Sequence, residues 1–270
     1  MKKINLKKIV TFVLWIIGLS GLLASLAFVS KKEKNVVVEN LLVSVSNTEV
    51  NTFIDEEDVK DFFNERKDSI LKTSIKNLNV NLLEKVLNSH PAVENADVAV
   101  DINGDVSVDV KQRNPLVRVV NLDGESYYID DQSKLMPLSD KYTARVIVAT
   151  GYILEPYARR YQFSVNAISK NNLYSKVSVL DDIYNMAVFI SKDSVLASLI
   201  HQININREKE IELYPSVGGH KIIFGEATNL KEKFNKLKLF YTQGLNKTDG
   251  WNKYSVVNIK YKNQVVCTKK

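Results

Sequence analysis

The order of apolar and polar positions divides the chain into one long apolar segment near its start and a remainder of short periodic runs. Residues 9–30 form 22 consecutive positions without a charged side chain. As a helix rising about 1.5 Å per residue, this segment would extend ~33 Å, which matches the hydrocarbon core of a bilayer. The pattern predicts one transmembrane helix at 9–30, preceded by a short tail at 1–8.

The lysines on either side of this segment indicate its orientation. Four lysines precede it and three follow it, and the second group is offset by Glu33. Because cytoplasmic flanks carry the excess of positive charge, this distribution favours a cytoplasmic tail and export of the rest of the chain. The alternative is a signal peptide cleaved after Ala27, but the h-regions of signal peptides usually have only about 7–15 residues. Either interpretation exports the residues that follow.

Residues 36–113 have the pattern of a small mixed domain. A loosely alternating run at 36–45 predicts a strand. Four carboxylates at 55–58 predict the first turn of a helix, because negative charge there favours the positive end of the helix dipole. Apolar residues at 82–87 predict a second short helix with Asn81 as its N-cap.

Two further strands close this domain. Residues 98–102 and 106–110 alternate between apolar and polar side chains, with Asn103 and Gly104 between them. An Asn-Gly pair between alternating runs is the strongest short-range signal for a β-hairpin, because a type I′ turn needs positive φ at both central positions. The predicted order of elements is therefore β-α-α-β-β.

Residues 114–270 predict a larger mixed β domain with flanking helices. Helical periodicity appears at 180–188 and 230–241, and the lysines of the second helix, at 231, 233, 236 and 238, are expected on a solvated face. The strands are predicted at 116–120, 127–129, 145–150, 199–206, 210–214, 221–224, 254–261 and 264–268. The predicted fold class is α+β, with a single N-terminal transmembrane helix.

Charge changes the interpretation of the basic composition. The formal net charge is +6, and residues 1–34 alone contain seven lysines and one glutamate. The remaining 236 residues contain 30 basic and 30 acidic side chains and are neutral overall. The positive charge therefore belongs to the flanks of the apolar segment, and we expect no nucleic-acid partner.

The residues that could support catalysis or metal binding are few and scattered. His90, His201 and His220 have no second ligand at metal-binding spacing, and Cys267 is the single cysteine. The chain contains no nucleophile-elbow, phosphate-loop or dinucleotide-binding motif. We expect no enzymatic activity, no cofactor, no metal and no small-molecule substrate.

The end of the chain suggests a binding role instead. Residues 251–270 form strands and carry aromatic side chains, and a terminal strand often lies at a sheet edge, where its backbone can pair with a strand of another chain. The alternative is that the apolar residues at 254–259 complete the core of this domain. The sequence pattern leaves both possibilities open.

The order of these parts, and several segments, resemble the FtsQ/DivIB family of bacterial cell-division proteins, in the form found in Bacteroidetes. The similar segments are 90–119, 124–151, 212–241 and 256–270, and the resemblance extends over about 36–268. It implies a small POTRA-like domain at 36–113 and a β domain at 114–270 that ends in a partner-binding strand. Before residue 90 the glycine-bearing turn often seen after the first POTRA strand is missing.

The resemblance also implies a function. Such a protein is a non-catalytic scaffold of the division complex (divisome), held in the inner membrane by 9–30 with its C-terminal domains in the periplasm at the division site. Its β domain binds the bitopic partners FtsB and FtsL, with FtsB adding a strand to the C-terminal edge. The matching positions are Trp251, Tyr254, Val256, Val257, Ile259 and Tyr261.

Two other classes of function fit the sequence less well. One is a POTRA-containing accessory of outer-membrane assembly or secretion, and the other is a different exported binding module or a cell-wall enzyme. The first requires about ten-residue alternating strands in an even-numbered set for a membrane barrel. The second half of the chain is too short and too helical for such a set.

Overall fold

A computed structural model describes residues 6–33, 36–46, 51–65, 70–157, 164–169, 178–248 and 250–270. The chain divides into two compact units. Unit 1 contains Met1–Ser46 and Ile54–Lys111, and unit 2 contains Asn47–Phe53 and Gln112–Lys270. Residues 1–5 of the predicted cytoplasmic tail lie outside the described residues.

The first described element is helix α1 (Leu6–Glu33). All the side chains from residue 12 to residue 25 are exposed, and Trp15 is 75% exposed. In the part of the chain that the structure describes, no helix has both the length and the apolar character needed to cross a membrane. A transmembrane segment at 9–30 stays a prediction.

The rest of unit 1 has the predicted order β-α-α-β-β. Its elements are β1 (Asn40–Ser46), α2 (Glu56–Glu65), α3 (Val80–Asn88), β2 (Val93–Val100) and β3 (Asp105–Gln112), with a 3-10 turn at Ile75–Asn77. The strand order is β1-β3-β2, and β1 runs parallel to β3. The helices and the sheet bury a common core that includes Val59, Phe63, Leu87, Val93, Val106 and Val108.

Helices α2 and α3 begin with side-chain caps. At α2, the Asp55 backbone N–H donates to the Asp58 carboxylate over 3.0 Å, and the Asp58 N–H donates to the Asp55 carboxylate over 2.9 Å. This reciprocal pair is a form of capping box. At α3, the cap is Asn79, whose side chain accepts from the Leu82 N–H. The prediction of Asn81 was wrong by two positions, because the helix already begins at Val80 and Asn81 lies inside its first turn.

The turn between β2 and β3 is wider than the predicted two-residue turn. It covers residues 101–104, and the Asp101 carboxylate accepts hydrogen bonds from the N–H groups of Asn103, Gly104 and Asp105. Gly104 has a φ of +105°, and a Cβ at this position would lie 2.3 Å from the Val37 carbonyl oxygen. Glycine is therefore required here by both the backbone angle and the close approach of Val37, in the segment before β1.

Unit 2 is built on one large sheet. Its strands are β4 (Pro115–Val120), β5 (Ser126–Asp130), β6 (Leu135–Met136), β7 (Ile147–Gly151), β8 (Ile200–Ile205), β9 (Ile211–Pro215), β10 (Lys221–Gly225), β11 (Tyr254–Asn258) and β12 (Val266–Lys269). Its helices are α4 (Val165–Ser169), α5 (Leu180–Ser191), α6 (Ser194–Leu199), α7 (Leu230–Leu239) and α8 (Asn246–Thr248), and a π-helical turn, Phe240–Leu245, joins α7 to α8.

The nine strands have the order β12-β11-β10-β9-β8-β7-β4-β5-β6. Strands β4, β7 and β8 are parallel neighbours, and β10 is parallel to β11. A parallel pair needs a crossover connection, and helices supply two of these: α4 to α6 lie between β7 and β8, and α7 lies between β10 and β11. Neither β6 nor α6 was predicted from the sequence pattern, because both are short.

The core of unit 2 lies between the sheet and its helices. Phe234 of α7 is fully buried, with its ring centre 4.9 Å from the rings of both Phe189 and Phe224. Helix α5 buries Leu180, Ile183, Met186, Ala187 and Ile190. These side chains meet fully buried residues of the strands, among them Val117, Ala149, Ile203, Leu213, Ile222 and Val257. This packing fixes which strands can lie at the edges.

Candidate functional site

The two edges of the large sheet differ in their accessibility. At one edge, β6 has two residues, Leu135 and Met136, and both are buried. At the other edge, three of the four residues of β12 are exposed, and Val266 is 46% exposed. Within the described ranges, no strand pairs with the outer side of β12. The C-terminal edge is therefore the one at which another strand can be added.

The predicted binding segment 254–261 does not form this edge. Its strand, β11, pairs with β10 on one side and with β12 on the other. The side chains of Val257 and Ile259 are fully buried in the core of unit 2. The resemblance matched this segment to the partner-binding edge, but the next predicted strand, at 264–268, also forms and covers it.

The other predicted site residues lie around the ends of β11. Trp251, Tyr254 and Val256 are half-buried, and Tyr261 is 47% exposed. Tyr254 packs against the core with its ring centre 6.4 Å from that of Phe240. The structure thus brings the six residues together on and beside one strand, with two in the core and Tyr261 as the most accessible. Their role in partner binding stays a prediction.

The hydrogen-bond pattern identifies which backbone groups of β12 point outward. Ile259 donates its N–H to the Ile223 carbonyl of β10, so the odd-numbered residues of β11 direct their backbone groups toward β10. Val256 and Asn258 direct theirs toward β12, where their partners are Thr268 and Val266.

It follows that Thr268 and Val266 use their N–H and C=O groups to bond β11. The intervening residue, Cys267, directs its own N–H and C=O to the outer side of the sheet. Its thiol is half-buried on the core side, and burial raises the pKa of this thiol above its ordinary value. Cys267 is thus the centre of the accessible edge through its backbone and part of the core through its side chain.

An aromatic cluster supports the start of β11. The indole of Trp251 stacks on the phenol of Tyr241 with ring centres 5.1 Å apart, and its Nε1 donates to Asn246 Oδ1 over 2.9 Å. Behind this pair, the Tyr241 hydroxyl lies 2.7 Å from Nε2 of the buried His220. Burial raises the pKa of Tyr241 and lowers the pKa of His220. Both groups are therefore neutral over the ordinary pH range.

The turn before β10 makes room for this imidazole. Gly218 has a φ of +90°, and a Cβ there would lie 2.6 Å from His220 Nδ1. This Nδ1 atom is buried and has no hydrogen-bond partner among the described residues. The Gly218 backbone raises the pKa of His220 and so opposes the lowering by burial, but it does not form a hydrogen bond with Nδ1.

The sequence pattern predicted one solvated face for the lysines of α7, and this prediction was wrong. Lys233 is buried; its Nζ donates to the Glu226 carbonyl over 2.7 Å and lies 4.8 Å from the centre of the Phe224 ring. Desolvation lowers the pKa of this ammonium group. Lys238 pairs with Asp193 over 2.6 Å.

Lys236 reaches the loop that precedes β12. Its Nζ donates to the Tyr261 carbonyl oxygen. The helical pattern places Lys236 correctly on α7, but its acceptor lies in a loop 25 residues later in the chain. The contact ties the helix to the start of the C-terminal edge.

Side chains that could hold a metal ion do not cluster in the described part of the chain. There, no group of three or more histidine, cysteine, aspartate or glutamate side chains lies close enough to bind a metal ion. His90 lies in unit 1, His201 is exposed on β8, and His220 bonds Tyr241. The accessible chemistry of the C-terminal edge is that of backbone donors and acceptors.

Comparisons with known proteins give two family matches. Residues 114–268 match the model described as FtsQ/DivIB, C-terminal related. Residues 36–111 match the model described as POTRA-like domain. No curated protein matches the chain. The first match covers more than half of the 270 residues, and it includes β12 as far as Thr268.

Proposed function

The chain belongs to the FtsQ/DivIB family, and we propose on this premise that it is a non-catalytic scaffold of the bacterial division complex. The family is one of cell-division proteins, and the POTRA-like and β domains fit such a scaffold. The observation that carries the proposal is the accessible β12 edge within the family-matched domain. An edge of this kind binds a partner chain and requires no catalytic group.

The partner is a bitopic division protein that adds a strand to β12. We assign this role to FtsB, which acts together with FtsL. The added strand would bond the outward N–H and C=O groups of Cys267, while Val266 and Tyr261 offer exposed side chains beside it. Val257 and Ile259 support this edge from within the core and do not touch the partner.

The anchor is the apolar segment 9–30, which places the tail 1–8 in the cytoplasm and both domains in the periplasm. Its length and lysine flanks support this assignment. A helix that is apolar on all sides is stable when it is surrounded by protein or lipid. Residues 12–25 of α1 are apolar or small and are exposed on every side, which fits contact with lipid.

A proline at the centre of the edge tests the function. Cys267→Pro removes the outward N–H of β12 but none of the N–H groups that bond β11, and proline is tolerated at such edge positions. Cys267→Ser keeps this N–H and is the matched control. We expect the proline variant to lose binding to purified FtsB–FtsL and the serine variant to keep it.

The same variants test the role in cells. Cells depleted of the protein are complemented with fluorescent fusions of the wild type, Cys267→Ser and Cys267→Pro. We expect the first two to collect at midcell and restore division, and the proline variant to leave the cells filamentous. Normal division after depletion would refute the division role, and normal binding by a folded proline variant would refute strand addition at β12.

A further inference from the structure

One end of unit 1 carries exposed apolar side chains close to the start of its first strand. This end, called the tip, consists of residues 36–38, 71–74 and 101–104. Backbone hydrogen bonds join its three segments: the Val38 N–H donates to the Thr73 carbonyl over 2.9 Å, and the Glu39 N–H donates to the Gly104 carbonyl over 3.1 Å.

The apolar side chains of the tip face solvent. Ile102 is 86% exposed, which is more than any other large apolar side chain in the described ranges. Leu71 is 42% exposed and Val37 is 38% exposed. A group of exposed apolar side chains at one end of a small domain marks a contact surface more often than isolated surface residues do.

The turn that carries Ile102 is held firmly. The Asp101 carboxylate accepts three backbone N–H groups over 2.8 to 2.9 Å and the Asn103 side-chain amide over 3.0 Å. These bonds, that of Asp105 first, hold the pKa of Asp101 below its ordinary value, so the carboxylate stays ionised and the turn stays closed. Ile102 is thus displayed at a fixed position.

The length of the chain places the tip next to the end of the anchor. Helix α1 ends at Glu33, and the tip begins at residue 36. Three residues span at most ~11 Å even when fully extended. Strand β1 pairs in parallel with β3, with Asn40 opposite Asp105, so the turn at 101–104 lies at the same end as the start of β1.

We propose that the tip rests on the periplasmic surface of the bilayer and inserts Ile102 among the lipid headgroups, with Leu71 and Val37 beside it. This inference rests on the proposed anchoring by 9–30. A lipid surface is the occupant that the short connection favours, because it lies within ~11 Å of the start of the tip. The tip thereby fixes the orientation of unit 1 at the membrane.

Charge does not drive this contact. Glu39, Asp101 and Asp105 lie at or beside the tip, and their negative charge offsets Lys72 and Lys76. Contact should therefore occur on zwitterionic lipid and persist at high salt, as expected for burial of apolar surface.

Site-specific fluorescence on the full chain tests the inference. The protein is reconstituted into phosphatidylcholine vesicles in a Cys267→Ser background, with an environment-sensitive dye on Ile102→Cys or on Asp109→Cys. Asp109 is exposed on β3, about 13 Å along the strand from Asp105 at ~3.3 Å per residue. Both positions are exposed, so the dyes leave the core intact.

We expect lipids brominated in the upper acyl chain to quench the dye at 102 and to leave the dye at 109 unquenched. The result should be the same in about 0.5 M NaCl, where interactions between charges are screened. Equal behaviour of the two dyes, or quenching at 102 that disappears at high salt, would overturn the inference. Vesicle flotation separates the two proposals: a chain that floats without quenching at 102 refutes the tip alone, and a chain that does not float refutes both.

Discussion

At the scale of single residues, the buried His220 shows how a polar side chain supports the candidate edge. Its Nε2 bonds the Tyr241 hydroxyl, and Tyr241 stacks on Trp251 at the start of β11. One ring nitrogen is satisfied and the other is buried without a partner among the described residues. Such a site disfavours the protonated ring, because an imidazolium has two N–H donors and a charge to solvate.

This arrangement predicts a specific pH dependence of stability. Burial lowers the pKa of His220, and the nearby Lys270 lowers it further. As the pH falls below the ordinary histidine pKa of about 6.5, the unfolded chain binds a proton at this position and the folded chain does not. The free energy of unfolding therefore decreases until the pH reaches the lowered pKa of the folded state. The decrease is about 1.4 kcal/mol for each unit by which the pKa is lowered.

Urea unfolding at a series of pH values, followed by tryptophan fluorescence, measures this effect. His220→Gln should reduce the pH dependence that lies just below pH ~6.5, to which His90 also contributes, because burial lowers its pKa too. His201→Gln is the matched control, because His201 is exposed on β8 and should leave the profile unchanged. Identical profiles for the wild type and His220→Gln would contradict the prediction.

At the scale of elements, β11 and β12 contribute unequally to unit 2. Strand β11 and the residue after it bury Val257 and Ile259 completely. Strand β12 places only Cys267 against the core, with Val265 just before it, and both are half-buried. The terminal strand is thus mainly a surface for pairing, and the strand before it is part of the core.

Deletion of residues 264–270 should therefore leave unit 2 folded. The loss of two half-buried apolar side chains should lower the free energy of unfolding by about 2 kcal/mol, and solvent can bond the backbone groups of β11 that become exposed. The substitution Ile259→Ala should cost about 2–5 kcal/mol, because it empties a buried site. Urea unfolding of both variants checks this order, and an unfolded deletion variant would show that β12 belongs to the core.

The elements also show how much of the fold could be predicted from the sequence pattern. Periodicity predicted the order β-α-α-β-β of unit 1, helix α5 and most strands of unit 2, because the apolar residues of each element face the core of their own unit. It missed β6, whose two residues are too few to show a period. It also could not give the parallel pairing of β7 with β4 and with β8, because a local pattern does not show which distant strands become neighbours.

The residues predicted to bind a partner lie mainly on β11, whereas the accessible edge of the sheet is β12. The run at 254–261 has more apolar and aromatic residues than the run at 264–268, and that strength reflects burial in the core and not accessibility. The weaker, later run is the edge.

The burial of Lys233 could not be predicted from the sequence either. Its acceptor, the Glu226 carbonyl, and its neighbour, the Phe224 ring, are brought to it by the fold.

At the scale of the whole molecule, charge and hydrophobicity separate the apolar segment 9–30 and its flanks from the domains. The net charge of +6 lies entirely in residues 1–34, and the rest of the chain is neutral. Four lysines before the apolar segment and three after it favour a tail in the cytoplasm. Both the POTRA-like domain and the C-terminal edge are then on the side where a bitopic partner would present its own periplasmic segment.

This orientation can be tested by labelling single cysteines in spheroplasts with a membrane-impermeant maleimide. In a Cys267→Ser background, Lys262→Cys lies in the exposed loop before β12 and should react in intact spheroplasts. Lys3→Cys lies in the tail and should react only after the membrane is permeabilised, because the lysine-rich flank stays in the cytoplasm. Reaction of both cysteines before permeabilisation would contradict the orientation, and an intact mass without residues 1–27 would identify a cleaved signal peptide in place of an anchor.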